Sequence, residues 1–411
     1  MKISRYIFPM ILGAFFLSSC GGDVEKWDPD DNGEGGQDKP EQTIVWHTRA
    51  YETFKAIQGN YMVRTGATAG LYNENSPKGS GDGSASFLWP YDGLISGVAA
   101  LNKLGYDVDY VKMVDNFKCY YRTSGAAAIG GYGSSTDGKN GHGDRFFDDN
   151  SIIGIELVEA FNQTKDPKYI DWCKEIIRFL ESGIDNTFGG ALWWNESYKN
   201  VKGNESSNKP ACANGYATWF LMSYFEIAQK TEYDKIISMA KGLYKWLYDN
   251  LRDPEDNVYW NSKGADGSIN KTKWTYNSGA MIAAGLRLFK ATGDQNYLKQ
   301  AIATADGAYN YFVKSRNGIP LCYPTNDPWF TIQLIKSYIE LESYHEPCKT
   351  YIEVFINNLE YAWEHGRQSN GLFYEDWTGK NINNDRDKQL LMQDAALESL
   401  ATIALYKGER K

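Results

Sequence analysis

The chain has 411 residues, 42% of them hydrophobic and 15% aromatic, with 29 Tyr, 13 Trp and a formal net charge of −9. An acidic chain without a long Lys/Arg run excludes nucleic acid as a partner, because phosphate binding needs a basic face. The length exceeds an ordinary single core, so it demands two domains or one large closed architecture, and the aromatic excess suits the CH-rich faces of a neutral sugar polymer.

Lys2 and Arg5 precede an apolar run from Ile7 to Leu17, followed by Ser18-Ser19-Cys20-Gly21. A membrane span needs about 20 apolar residues, so residues 1–19 read instead as a signal peptide. The Leu-Ser-Ser-Cys-Gly string resembles the lipobox of bacterial lipoproteins. It implies lipidation at Cys20 and an exported protein anchored in the outer membrane, on the cell surface or the periplasmic face. Residues 20–43, rich in Asp, Glu, Gly and Pro without apolar period, are expected to form a flexible acidic tether.

Cys119, Cys173, Cys212, Cys322 and Cys348 are too irregularly spaced, and odd in number, for a disulfide framework. The histidines are scattered and no CxxC or HExxH motif occurs, so no metal site is expected. Most of these cysteines read as small buried core residues.

From residue 44 onward the pattern is helical and repeats. Tyr169, Tyr233 and Tyr297 stand 64 residues apart, each near the start of an amphipathic helix. Every such helix runs into a Gly/Asn/Asp-rich loop, and a more apolar helix follows. Fixed-period self-similarity of this kind means one helical hairpin per unit, stacked or closed on itself. The amphipathic members are expected near 46–64, 108–121, 168–182, 233–251, 296–314 and 348–366. The apolar members are expected near 90–104, 149–163, 213–230, 277–292, 329–344 and 388–406. The resulting fold class is all-α: six hairpins closed into an (α/α)6 barrel, with 44–411 a single catalytic domain. An open solenoid is the alternative, but it would need polar capping repeats that the sequence lacks.

If the inner helices share one direction, the loops before their N-termini line one cleft. Those loops hold Tyr91-Asp92, Asp148-Asp149, Trp193-Trp194-Asn195, Asn214, Trp274 with Tyr276-Asn277, and Trp329. Asp and Asn there also suit helix N-caps, but capping does not explain the accompanying tryptophans. The sharpest constellation is Asp148-Asp149. Adjacent carboxylates repel, and burying both is costly unless chemistry needs one charged and one protonated. Retaining glycosidases need that division between nucleophile and acid/base. A helix N-terminus would favour one ionised carboxylate, and mutual repulsion would raise the other's pKa.

The run Phe147-Asp148-Asp149-Asn150-Ser151-Ile152-Ile153-Gly154 resembles glycoside hydrolase family 76. So do Gly189-Gly190-Ala191-Leu192-Trp193-Trp194-Asn195 and Trp274-Thr275-Tyr276-Asn277-Ser278-Gly279. The resemblance spans about residues 46 to 406 in the family's motif order. It implies an (α/α)6 barrel, a retaining endo-acting cleavage of α-1,6-linked mannan and no cofactor. It also implies Asp148 as nucleophile and Asp149 as acid/base. Tyr91, Asp92, Trp193, Trp194, Asn195, Asn214, Trp274, Tyr276, Asn277 and Trp329 are the residues expected to bind substrate, on a protein expected to act as a monomer. Three departures bear on substrate choice: an insertion-like stretch at 201–210, Asn326-Asp327-Pro328-Trp329-Phe330 where the family commonly carries Phe-Lys-Gly, and Ser278 where Gln is usual. Two other functions share this framework: a glycan-binding surface lipoprotein without catalysis, and a mannosyl transglycosylase.

Overall fold

The computed structural model describes residues 45–136 and 143–411. The expected signal peptide, Cys20 and the tether lie outside the described residues. Val45–Lys411 is one compact unit, and no helix among the described residues is long and apolar enough to cross a membrane.

Among the described residues, twelve α-helices alternate between an outer and an inner ring. The outer members are α1 (Trp46–Tyr61), α3 (Tyr110–Asp115), α5 (Lys168–Ser182), α7 (Tyr233–Leu251), α9 (Gln295–Phe312) and α11 (Cys348–His365). The inner members are α2 (Leu88–Lys103), α4 (Phe147–Thr164), α6 (Ala211–Phe225), α8 (Thr275–Thr292), α10 (Pro328–Leu341) and α12 (Leu390–Tyr406). Each inner helix packs on the next, and α12 returns to pack on α2, so the ring closes and the fold is an (α/α)6 barrel. An open solenoid would leave α2 and α12 apart.

Residue pattern explains which helix goes where. In α5, Tyr169, Cys173, Ile176, Ile177 and Leu180 form one buried stripe while Asp171, Lys174 and Arg178 stay at the surface, as an amphipathic outer helix requires. Asp166 starts that helix by accepting the Lys168 N–H at 3.0 Å, and Asp294 caps α9 in the same way through Asn296. In α6, by contrast, every residue from Ala211 to Tyr224 is buried. Glycine permits the tightest inner contacts. A Cβ at Gly97 would stand 2.7 Å from Leu397 across the closing α2–α12 seam, and one at Gly279 2.9 Å from the Leu334 backbone of α10.

Helix boundaries differ from the sequence expectation mainly at the ends. The second outer segment, expected as one helix to residue 121, is α3 followed by a 3-10 turn, Asn116–Tyr120. α6 and α10 end several residues early, with 3-10 turns at Lys230–Glu232 and Glu342–Tyr344 near their expected ends. Loops carry the strands, chiefly a three-stranded antiparallel sheet of Asn208–Pro210, Trp260–Gly264 and Ile269–Lys273.

The barrel axis is charged rather than oily. Glu398 of α12 accepts hydrogen bonds from Ser96 at 2.6 Å, Lys336 at 2.7 Å and Gln333 at 3.0 Å. Asp92 and Asp394 are buried nearby. Burial, then the charges of Glu398, Glu74 and Asp92, hold the Asp394 carboxyl well above the usual carboxylate range. A folded pKa above the unfolded value of about 3.9 means the folded state binds more protons between the two. Stability contributed at low pH is therefore lost as pH rises through that window. Asp394→Asn keeps the shape and removes this titration. Thermal unfolding should show its Tm above wild type by roughly 2–4 °C at pH 8, with the difference shrinking toward pH 4. A constant offset across that range would mean Asp394 contributes no such pH dependence.

Candidate active site

All six inner helices point their N-termini at one mouth of the barrel, and that mouth opens as a cavity of about 540 Å³. Trp89, Asp148, Cys212, Tyr276, Trp329 and Leu391, one or more from the first turn of each inner helix, line it. Lining residues from the loops include Trp194, Asn208, Asn261 and Gln389.

Asp148 and Asp149 are half-buried on the cleft floor, inside the first turn of α4 rather than in the loop before it. Local structure holds that turn from several sides. The Phe147 N–H donates to the Trp194 carbonyl at 3.0 Å. Asn150 donates to the carbonyls of Phe146 and Tyr132 and accepts the Tyr132 N–H. Arg145 forms a bidentate ion pair with Glu196, both 2.6 Å contacts, with both side chains almost wholly buried. Two parallel charge-assisted bonds fix orientation as well as energy, so the backbone entering α4 is rigidly set.

The two carboxyls differ in what they touch. Asp148 accepts three donors: the Asp149 backbone N–H at 3.0 Å, the Trp194 indole N–H at 2.9 Å and the Cys212 thiol at 3.1 Å. Burial raises the Asp148 pKa above its ordinary value, and those donors, which favour the charged form, draw it back. Asp149 has no comparable set of donors. Burial first, and the charge of Asp148 second, push its pKa well above the usual carboxylate range. The Asp149 carboxyl is therefore pushed further above the ordinary carboxylate range than that of Asp148.

Aromatic rings form the wall. Phe330 stacks on Tyr276 at 4.2 Å and on Trp89 at 5.8 Å between centroids, and Trp329 meets Trp89 edge-on at 5.4 Å. Phe330 and Trp329 occupy the segment flagged in the sequence as a departure. On another side, Asn208 and Pro210 end the 201–210 stretch and line the cleft beside Asn261 of the paired strand. Glu74 and Arg386 are the other charged lining residues. Glu74 accepts the Phe87 N–H at 2.9 Å, and Arg386 is already paired with Asp327 and Glu375.

Of the expected substrate-binding residues, Trp194, Tyr276 and Trp329 line the cleft. Trp274, half-buried, meets Phe330 edge-on at 5.5 Å. The others are placed elsewhere. Tyr91 is fully buried and donates its hydroxyl to the Met113 carbonyl at 2.8 Å, toward the outer ring. Asp92 and Asn277 lie buried beneath the floor. Trp193 is buried with its indole N–H on Asp185 at 2.7 Å. Asn195 accepts the Ser197 N–H, and Asn214 clamps the Leu192 backbone and the Pro210 carbonyl. The reason is geometric. Successive helical residues rotate by about 100° and successive extended residues alternate sides, so neighbours in a motif need not share a direction. Cys212 is the cleft residue that composition hid, since a thiol in an apolar helix reads as core. Its first-turn position on an inner helix, two residues before Asn214, is the signal that points to it.

The chain matches the model of glycosyl hydrolase family 76 over residues 50–407 and belongs to that family. A mannan endo-1,6-alpha-mannosidase of Candida albicans is 25% identical over 200 residues, 44% of this chain and 42% of that relative, so the match spans under half of its length. A family 76 α-mannanase structure from Bacteroides thetaiotaomicron superposes with a TM-score of 0.75 at 25% identity, covering 89% of this chain and 97% of that one. An inactive variant of a Salegentibacter α-1,6-mannanase, with two adjacent aspartates replaced by alanine and α-1,6-mannotetrose bound, gives 0.70 at 20% identity, covering 88% and 100%. That last likeness is one of fold.

If the Trp194 N–H helps keep Asp148 ionised, Trp194→Phe, which keeps the ring and loses the donor, should lower kcat of glycan hydrolysis about 10-fold. It should also move the acidic limb of kcat/KM to higher pH. Steady-state rates across pH would read both. An unchanged limb would reduce Trp194 to a packing role.

Proposed function

We propose that this family 76 protein is a retaining, endo-acting α-1,6-mannanase. The observation that carries the reading is the asymmetric Asp pair, with three donors on Asp148 and, beside it on one aromatic-walled floor, an Asp149 raised by burial and then by the Asp148 charge. The mannan activity named for the Candida relative, and the α-1,6-mannotetrose held by the Salegentibacter variant, support the substrate class.

In the first step a carboxylate oxygen of Asp148 attacks C1 of a mannosyl unit. The C1–O bond breaks as Asp149 gives its proton to the departing oxygen, leaving a mannosyl ester on Asp148. In the second step Asp149, now ionised, takes a proton from water, whose oxygen attacks C1 and releases Asp148. Two inversions leave the anomeric configuration unchanged. Phe330, Tyr276 and Trp89 offer flat faces to neighbouring sugars.

Linear α-1,6-mannan should yield oligosaccharides with the wild type, and the first-formed reducing end should be the α anomer by NMR. Asp148→Asn and Asp149→Asn should each lower release about 10³-fold or more. A β anomer at first would remove the double displacement. No products with retained binding in a pull-down would favour the glycan-binding lipoprotein; no binding either would mean another sugar. We also propose anchoring through Cys20 in the outer membrane. Labelled palmitate should enter the wild type and not Cys20→Ala, and incorporation unaffected by that change would discard the anchor.

A further inference from the structure

Among the five cysteines beyond Cys20, Cys212 has a distinct place. Cys173 and Cys348 are buried in outer helices, whereas Cys212 sits in the first turn of α6 and lines the cleft. Its sulfur lies 3.1 Å from Oδ2 of Asp148, the same oxygen that accepts the Trp194 indole N–H at 2.9 Å. Behind it Tyr216, Trp219, Ala280 and Ala283 form a packed apolar cluster, and Ile152 and Tyr276 close its sides. The sulfur therefore cannot swing away from Asp148 without disturbing two neighbouring inner helices.

The direction of the hydrogen bond follows from the partners. An ionised carboxylate only accepts, so the proton between the two groups belongs to sulfur. Tyr276, on α8, packs against the cluster that holds Cys212 and also faces Asp148. Burial, together with the Asp148 charge, pushes the thiol pKa well above its usual value, so the proton stays on sulfur. The other titratable groups facing Asp148 are Asp149 on its own helix and Tyr216 on α6.

We propose that Cys212 is a positioning residue that holds Asp148 as the ionised, aimed member of the pair by donating its S–H to Oδ2. This inference rests on the reading of Asp148 as nucleophile. It adds that a thiol on a neighbouring helix acts with the Trp194 indole and the Asp149 N–H in setting which aspartate carries the charge. A serine hydroxyl at 212 could replace the donor; an alanine could not.

The test compares Cys212→Ala and Cys212→Ser in the full-length protein, with thermal unfolding to confirm that both fold. Cys212→Ala should lower kcat about 10-fold with KM little changed, the effect of one hydrogen bond to a charged group. It should also move the acidic limb of kcat/KM to higher pH, because Asp148 ionises less readily without its donor. Cys212→Ser should restore the rate and the limb. Equal behaviour of the two variants with an unmoved limb would overturn the proposal and leave Cys212 as packing. Infrared spectroscopy gives a readout that needs no turnover. The S–H stretching band that disappears in Cys212→Ser should lie at lower frequency than the other thiols, and in Asp148→Ala it should move up. A Cys212 band indifferent to Asp148→Ala would overturn the hydrogen bond itself. Full activity in Asp148→Asn would instead sink the nucleophile reading, whatever the thiol band shows.

Discussion

Closure of the inner ring is the constraint on which the rest depends. Once α12 packs back on α2 across Gly97 and Leu397, six helices of common direction must present their N-termini at one mouth. Backbone N–H groups at helix starts are unpaired within the helix and carry partial positive charge. A ring of such starts makes a floor on which an ionised carboxylate is tolerated, and Asp148 occupies that floor in the first turn of α4. Had the helices stacked as an open solenoid, the same residues would have been spread along an edge instead of around a cavity.

A second layer makes the pair unequal. Asp148 and Asp149 are chemically identical and adjacent, and the same helix turn carries both. What separates them comes from other segments: the Trp194 loop, the Cys212 turn of α6 and the local N–H of Asp149. The buried Arg145–Glu196 pair and the Asn150 clamp hold the backbone to which these donors are aimed. Breaking such a buried pair would strand a charge at a cost of about 3–5 kcal/mol, which ties the integrity of the site to residues that never reach the cleft. Charge is also carried deeper along the barrel axis, where Lys336 answers Glu398 while Asp92 and Asp394 are buried nearby.

Glycan recognition, on this reading, is aromatic and modular. Phe330 is stacked between Tyr276 and Trp89, which belong to two other inner helices. The strand Asn208–Pro210 adds a wall built by pairing with Trp260–Gly264 rather than by a helix. Both features fall at places where the sequence departs from the family's usual pattern, so cleft shape is adjustable without touching the Asp pair.

The sequence by itself determined the hairpin count, the inner and outer identity of each helix and the Asp148-Asp149 pair. These are local properties: a 3.6-residue period, a 64-residue repeat and a motif whose chemistry sits in adjacent residues. It also located α5 and α7 to the residue, because Asp166-Pro167 and Glu232 mark their starts. What only the tertiary structure decided is which motif residues reach the sugar side. Tyr91, Trp193, Asn195 and Asn214 belong to the same motifs as cleft residues yet turn inward or clamp backbone, since side-chain direction depends on how each turn is seated against its neighbours. The role of Cys212 was hidden for the same reason. Its partner is 64 positions away in the chain and 3.1 Å away in space, and only the packing of α4 against α6 brings the two together.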